Sequence, residues 1–330
     1  MATKVINVEQ ESQLDIETSS PFSGDMLEFW PSAYSGRYTT YDLTTNTIMV
    51  AGCHVWYYGT GGYSSDQDWP LFVFRSSSNS QVELILTNGL LWVRDGNGAN
   101  LGGLRTHLQV QTWMHIEMKA YCHSSNGYVV VRVNGSPALT INDVNTNNAG
   151  TGYFTRFSYG DATPLNGFQI TRVDNLYVCD GSGSKNNDFL GPVTVHTIFP
   201  DGDDSVNFAT TGNANYATHY QQVNSSDAMW TTDYVQDSTT GNRDIFTMDD
   251  TLNFSTVHGI MGCIVTLGIT SNQNYTQVFS SNGTELESSN MSANTSTNKT
   301  SYFVVEDDPD TSSDWTSATI NALKFGIELQ

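Results

Sequence analysis

Charge is what this chain has least of. Only 14 % of its 330 residues are charged, and 13 Lys and Arg face 34 Asp and Glu, a net charge of −21. Such a field repels nucleic acid and anionic membranes, and no basic stripe interrupts it, so both are excluded as partners. Long apolar runs are also missing. No segment is long enough to span a bilayer, and the opening MATKVINVEQESQLDIETSS has no signal-peptide core. Synthesis in a cytoplasm is the expectation. The four cysteines, Cys53, Cys122, Cys179 and Cys263, stand far apart without CxxC pairing. They are expected to be reduced, mostly buried thiols acting as small apolar residues.

What is present is aromatic and polar. Aromatics make up 12 % and hydrophobic residues 38 %, while Asn, Ser, Thr and Gly replace the charged residues that helix surfaces usually carry. Strand patterns follow one another: 47-TIMVAGCHVWYY-58, 69-WPLFVFR-75, 81-QVELILTNG-89 and 90-LLWVRDGNG-98. In 110-VQTWMHIEMKAYCH-123, Trp113, His115, Glu117 and Lys119 share one face and Met114, Ile116, Met118 and Ala120 the other. Asn88-Gly89, Asp95-Gly96, Asn126-Gly127 and Asn134-Gly135 are hairpin signals, because these residues tolerate positive φ. The second half is sparser. Its most apolar segment is 252–270, read as a strand pair or one long buried strand. Asp314 is the expected N-cap of a short helix running to Ala322, before a closing strand 324-KFGIEL-329. The fold class expected is all-β: an antiparallel sandwich followed by a second β-rich domain.

Two resemblances refine this. Trp-x-His-Ile-Glu from Trp113, the run 128-YVVVRVNG-135 and Val-Asp-Asn-Leu-Tyr-Val from Val173 resemble a concanavalin A-like jelly roll of the laminin-G type, over residues 25–180. The stretch 174-DNLYVCDGSGSKNNDFLGPVTVHTIFPDG-202, a later 233-DYVQDSTTGNRDIF-246 and the tail from Asp314 resemble structural proteins of tailed bacteriophages. The domain reading is a polar arm over 1–24, the jelly roll over 25–180, a linker over 181–192 and the second β domain over 193–330. The resemblance implies a non-enzymatic structural protein on a virion surface, either capsid decoration or a tail or fibre component. It implies other virion proteins as partners and a homo-oligomer, with a trimer favoured.

Asp180, Ser182, Ser184, Asn186 and Asp188 place oxygens at alternate positions, as a calcium loop begins. The sixth position is Lys185 and the twelfth Gly191, where that loop needs Gly and Glu, so the segment reads as a polar connector. No cofactor is expected; acidic turns at 201-DGDDS-205 and 306-EDDPD-310 have the chemistry for a structural calcium ion but also read as solvated turns. Glu117 stands alone in its strand, no Glu-x-Asp-x-x-Glu string occurs, and the seven histidines lie singly, so the chain is expected not to be an enzyme. The alternative function is a lectin-like module holding host surface polysaccharide. Its candidate site is the loop 56-WYYGTGGYSSDQDW-69, with Trp56, Tyr58, Tyr63, Asp66, Asp68 and Trp69 as glycan or subunit contacts.

Overall fold

A computed structural model describes residues 4–5, 15–17, 26–29, 37–57, 68–104, 107–161, 171–211, 218–224, 233–249, 253–266, 273–293 and 299–330. The chain divides into two compact units, residues 1–196 and 197–330. The all-β expectation holds in both.

The first unit is a jelly-roll sandwich of two antiparallel sheets. In chain order its strands are β1 (Lys4–Val5), β2 (Asp15–Glu17), β3 (Met26–Phe29), β4 (Arg37–Asn46), β5 (Ile48–Tyr57), β6 (Trp69–Ser76), β7 (Asn79–Thr87), β8 (Leu90–Asp95), β9 (Asn100–Gly103), β10 (Trp113–Tyr121), β11 (Gly127–Val133), β12 (Ser136–Val144), β13 (Phe154–Asp161) and β14 (Thr171–Asp180). One sheet runs β12-β11-β10-β5-β14-β3-β2, with β1 also on β14; the other runs β4-β13-β6-β7-β8-β9. Alternation decides which side chains meet between them. Met49, Ala51, Cys53 and Val55 of β5 and Met114, Ile116 and Met118 of β10 face Phe72, Phe74, Leu84, Phe154 and Phe157 across a dry core. Tilted and edge-on aromatic pairs fill it, among them Phe72–Phe157 at 5.8 Å and Phe74–Phe154 at 5.5 Å.

Turn chemistry closes the hairpins as expected at two places. Asn88 and Gly89 (φ 52° and 76°) join β7 to β8, and Asn134 and Gly135 (φ 51° and 76°) join β11 to β12. Asp95-Gly96 opens a wider loop instead, in which Asp95 Oδ1 accepts the Asn97 and Ala99 N–H groups. Cys53, Cys122 and Cys179 are buried and Cys263 is exposed, and all four are free thiols.

The alternation of β14 is broken once. Its register pairs Asp174 with His54 and then Tyr177 with Gly52, so the strand carries an extra residue at Asn175, which has φ 55°. Val173 before the bulge and Leu176 and Val178 after it all reach the core. Tyr177 and Cys179 are thereby turned to the opposite, outer face, where they pack with Val50 and with Phe189, Leu190 and Val193. The segment read as a connector is therefore a strap, residues 181–196, lying on the first sheet. Tyr177 itself lies over Gly52, whose missing Cβ would stand 2.4 Å from the ring.

The second unit has a five-strand path, Pro200–Val206, Arg243–Met248, Lys324–Leu329, Asn274–Ser281 and Thr284–Glu287, with Met291–Ser292 also on its fourth strand. Ile260–Thr266 pairs separately with Lys299–Val305. The tail helix spans Ser317–Asn321 and is capped by Thr316, whose hydroxyl accepts the Thr319 N–H. Asp314, the expected cap, pairs instead with Asp307 in a short ladder. The closing strand is Lys324–Leu329.

Two glycine substitutions separate space from backbone strain. Gly52→Ala is expected to destabilise the chain by about 1–3 kcal/mol through overpacking, and the penalty should disappear in a Tyr177→Leu background. Gly135→Ala meets no neighbouring atom, so its loss of roughly 1–2 kcal/mol comes from the left-handed backbone and should not depend on Tyr177. Denaturant unfolding of the four chains and the two doubles checks both; a Gly52→Ala penalty that persists without the ring refutes the close-approach account.

Candidate functional site

The outer face of the first sheet carries three cross-strand rows fixed by register. Trp113, Trp56 and Arg172 form one, His115, His54 and Asp174 the next, and Glu117, Gly52 and Tyr177 the third. Each row contains residues from β10, β5 and β14, three central neighbours whose register is held by the core on the other side. The histidines that look solitary in the sequence are thus brought together: the His54 and His115 rings lie 5.0 Å apart. Glu117 likewise does not stand alone. The Tyr177 hydroxyl donates to its Oε1, and His115 Nδ1 is 3.8 Å from its Oε2, beyond hydrogen-bond distance. The His115 ring also stacks on Tyr177 at 6.5 Å between centroids.

The strap closes over the third row. The Gly191 N–H donates to Glu117 Oε1 (2.9 Å) and the Leu190 N–H to the Tyr177 oxygen (3.2 Å). Asn175, turned to this face by the bulge and buried there, lies 3.4 Å through its amide nitrogen from His54 Nδ1 and accepts the Val195 N–H at 2.8 Å. At the far side Lys119 pairs with Asp188 (3.1 Å), and the Arg132 guanidinium carbon sits 4.0 Å from the Phe189 ring centre. Burial alone would raise the Asp188 carboxyl, but the Phe189 N–H and Lys119 outweigh it and hold the group below its ordinary range. The first row is more open: Trp56, Trp113 and Arg172 are all partly exposed, and the two indoles meet edge to face at 5.7 Å.

Burial sets the protonation of this floor. His115 is 3 % exposed and Glu117 fully buried. Desolvation lowers His115 to about 4. It lowers His54 to about 4 as well, with the neighbouring His115 adding to the effect. Burial raises the Tyr177 phenol far above its ordinary value, and the Glu117 charge raises it further. At neutral pH the floor therefore holds two neutral imidazoles and a neutral phenol that donates to Glu117.

The described ends of the loop singled out in the sequence, Trp56 and Asp68–Trp69, lie in different places. Trp56 stands on the outer face beside Trp113. Trp69 is buried in the core between the sheets. Asp68 belongs to the other sheet, where it accepts from the Thr87 hydroxyl and the Arg94 guanidinium. Tyr58, Tyr63 and Asp66 lie outside the described residues. The alternating oxygens after Asp180 close on themselves and their neighbours: Asp180 accepts the Ser182 N–H (2.9 Å) and the Thr44 hydroxyl (2.7 Å). Among the described residues no group of three or more His, Cys, Asp or Glu side chains is placed to hold a metal ion.

Tyr177, Asn175 and the histidine pair escaped the sequence reading. One signal for the first two was present: Val173 and Leu176 stand three apart where a regular strand needs two or four, with Asn, a residue tolerant of positive φ, between them.

The depressed imidazoles make stability pH-dependent with a definite sign. Unfolded histidines titrate near 6.5 and these near 4, so between those values the unfolded state binds more protons. Stability is full above pH 6.5 and falls as pH drops toward 4, on the order of 3 kcal/mol per imidazole. A His54→Gln/His115→Gln chain should lose this component, giving a flatter melting temperature between pH 7 and 4.5 than the parent. Parallel curves refute the assignment.

No protein-family model matches the chain, and no curated protein matches it significantly. Solved structures do. The endo-β-1,4-glucuronan lyase of the fungus Trichoderma reesei is similar at 13 % identity and TM-score 0.39, over 53 % of this chain and 89 % of that one. An alginate lyase of polysaccharide lyase family 7 is similar at 14 % identity and TM-score 0.35, over 52 % and 83 %. The binding domain of botulinum neurotoxin DC, in complex with SialylT, follows at 10 % identity and TM-score 0.35, over 51 % and 41 %. These findings correct the sequence reading. With polysaccharide lyases as structural neighbours, the expected non-enzymatic structural role as capsid decoration, tail or fibre on a phage virion is not retained, nor is the expectation that the chain is not an enzyme. The chain shares with these proteins a jelly-roll β-sandwich.

Proposed function

We propose that the first unit binds polysaccharide on the outer face of its first sheet, with the Trp56–Trp113 pair as the stacking platform. The observation that carries this reading is that edge-to-face pair, partly exposed on adjacent strands beside Arg172 and His54. Sugar rings present apolar C–H faces and a rim of hydroxyls. An indole held at a fixed angle by its neighbour offers the matching apolar plane, and Arg172 and the imidazoles offer polar partners at its edge. Both indoles project from paired central strands, so the platform is organised before a ligand arrives and little side-chain entropy remains to be lost. The net charge of −21 argues against a nucleic acid using the same aromatic surface.

Retention on an array of soluble polysaccharides, neutral and uronate-bearing, tests this. The Trp113→Ala chain should bind the retained polysaccharide at least tenfold more weakly, with its circular dichroism unchanged. Tyr302→Ala, an exposed aromatic of the second unit, should bind as the parent does. Equal binding by parent and Trp113→Ala refutes the platform. Assay of new chain ends in the retained polysaccharide then separates holding from cutting.

A further inference from the structure

The strap touches the sheet through a set of contacts that imitates a ligand. Three side-chain acceptors on the floor, Glu117 Oε1, the Tyr177 oxygen and Asn175 Oδ1, each meet a single neutral N–H of the strap, from Gly191, Leu190 and Val195. Sugar hydroxyls fill the same role of neutral donor. Beside them Asp188 places a carboxylate on Lys119, and Phe189 places a flat apolar surface against the Arg132 guanidinium. The imitation is incomplete. Both ring nitrogens of His115 and Oε2 of Glu117 are buried with no hydrogen-bond partner among the described residues. Two buried polar side chains beside the strap are thus left short of partners. A purely structural strap would be matched by apolar residues on the sheet, as Phe189, Leu190 and Val193 are matched by Val50 and Ile48.

Charge points to the chemistry of the missing occupant. In a chain with few cations, Lys119 and Arg132 both stand on this face, and the strap sets its one carboxylate on Lys119. We propose that residues 188–195 are a self-ligand: they occupy a saccharide subsite floored by Glu117, Tyr177, His115 and Asn175, and are displaced by a carboxylate-bearing saccharide whose carboxylate takes the place of Asp188 on Lys119. The proposal rests on the polysaccharide reading above and extends it from the open tryptophan row to the covered one. Strap seating and saccharide binding then compete, and anything that loosens the strap tightens binding.

The full-length chain tests this with a hexuronic-acid hexamer as probe and a neutral hexose hexamer of equal length as control. Phe189→Ala removes the clamp under Arg132 and leaves every hydrogen-bonding side chain of the floor unsubstituted, and Asp188→Asn removes the substitute carboxylate from a largely exposed position. Calorimetry should show the uronate hexamer bound about tenfold more tightly by Phe189→Ala than by the parent, and more tightly by Asp188→Asn should Phe189→Ala not fold. Amide exchange at Leu190, Gly191 and Val195 in the parent should accelerate when the uronate hexamer is added. If the parent binds saccharide but neither variant binds more tightly and the strap amides keep their protection, the strap is structural, and only the tryptophan platform stands. Preference for the neutral hexamer overturns the carboxylate assignment. Absence of binding by parent and variants alike overturns this proposal together with the polysaccharide reading, whereas binding by the variants alone supports both.

Discussion

A single extra residue in β14 decides the character of the first unit's outer face. Without the bulge at Asn175, a strand with Val173 in the core would send Leu176 and Val178 outward and Tyr177 inward. With it, the apolar pair completes the core and Tyr177 crosses to the other side. Everything on the third row depends on that crossing. Tyr177 needs a neighbour with no side chain, and the register supplies Gly52. Its hydroxyl needs an acceptor, and Glu117 stands across Gly52 on β10. The strap then finds a phenol and a carboxylate ready to accept its N–H groups. The bulge also frees Asn175 to hold Val195, so one irregularity anchors the strap near its far end as well as its middle.

The polar floor is stable because its charge is kept to a minimum. A buried carboxylate is costly unless donors surround it, and Glu117 receives two, one from Tyr177 and one from Gly191. Protonated imidazoles beside it would add two buried like charges 5.0 Å apart, and desolvation prevents this by keeping both rings neutral. The result is a site whose polarity lies in dipoles and hydrogen bonds. Cations are held at its margins, on Lys119, Arg132 and Arg172, where solvent reaches them. Such an arrangement suits hydroxyls over its centre and a carboxylate at its margin, where Lys119 already holds one.

Much of the frame was legible in the sequence, and the reason is periodicity. Two-residue alternation in β5 and β10, with Asn-Gly at the hairpins, reports local backbone geometry that the structure reproduces. Register is different. Nothing in 48-IMVAGCHVWY-57 or 113-WMHIEMKAY-121 taken alone says that His54 will face His115, because that pairing is set by distant strands settling against a shared core. The aromatic loop misled for a related reason. Trp56 and Trp69 are close in sequence, yet they belong to different sheets of the sandwich, so one faces out and the other is core. The Gly, Ser and Asn content of the strap points to a connector; its three apolar anchors, Phe189, Leu190 and Val193, are the contrary signal.

Two buried carboxylates of the second unit show what a purely structural solution looks like. Asp244 is fully buried, but one of its oxygens accepts the Asn207 and Phe208 N–H groups and the other meets His219 Nδ1 at 2.7 Å. Asp308 is equally buried and is closed by the Asp310 N–H and the Thr311 hydroxyl. Both oxygens of each carboxylate are engaged from within the fold, and each serves to fix a turn or a short helix. The first unit's floor departs from that pattern at His115 and at one oxygen of Glu117. Folding alone does not require a histidine there, since an apolar ring would stack on Tyr177 without the desolvation cost of two ring nitrogens. The polar groups retained beneath the strap are thus best understood by what they meet when the strap is lifted.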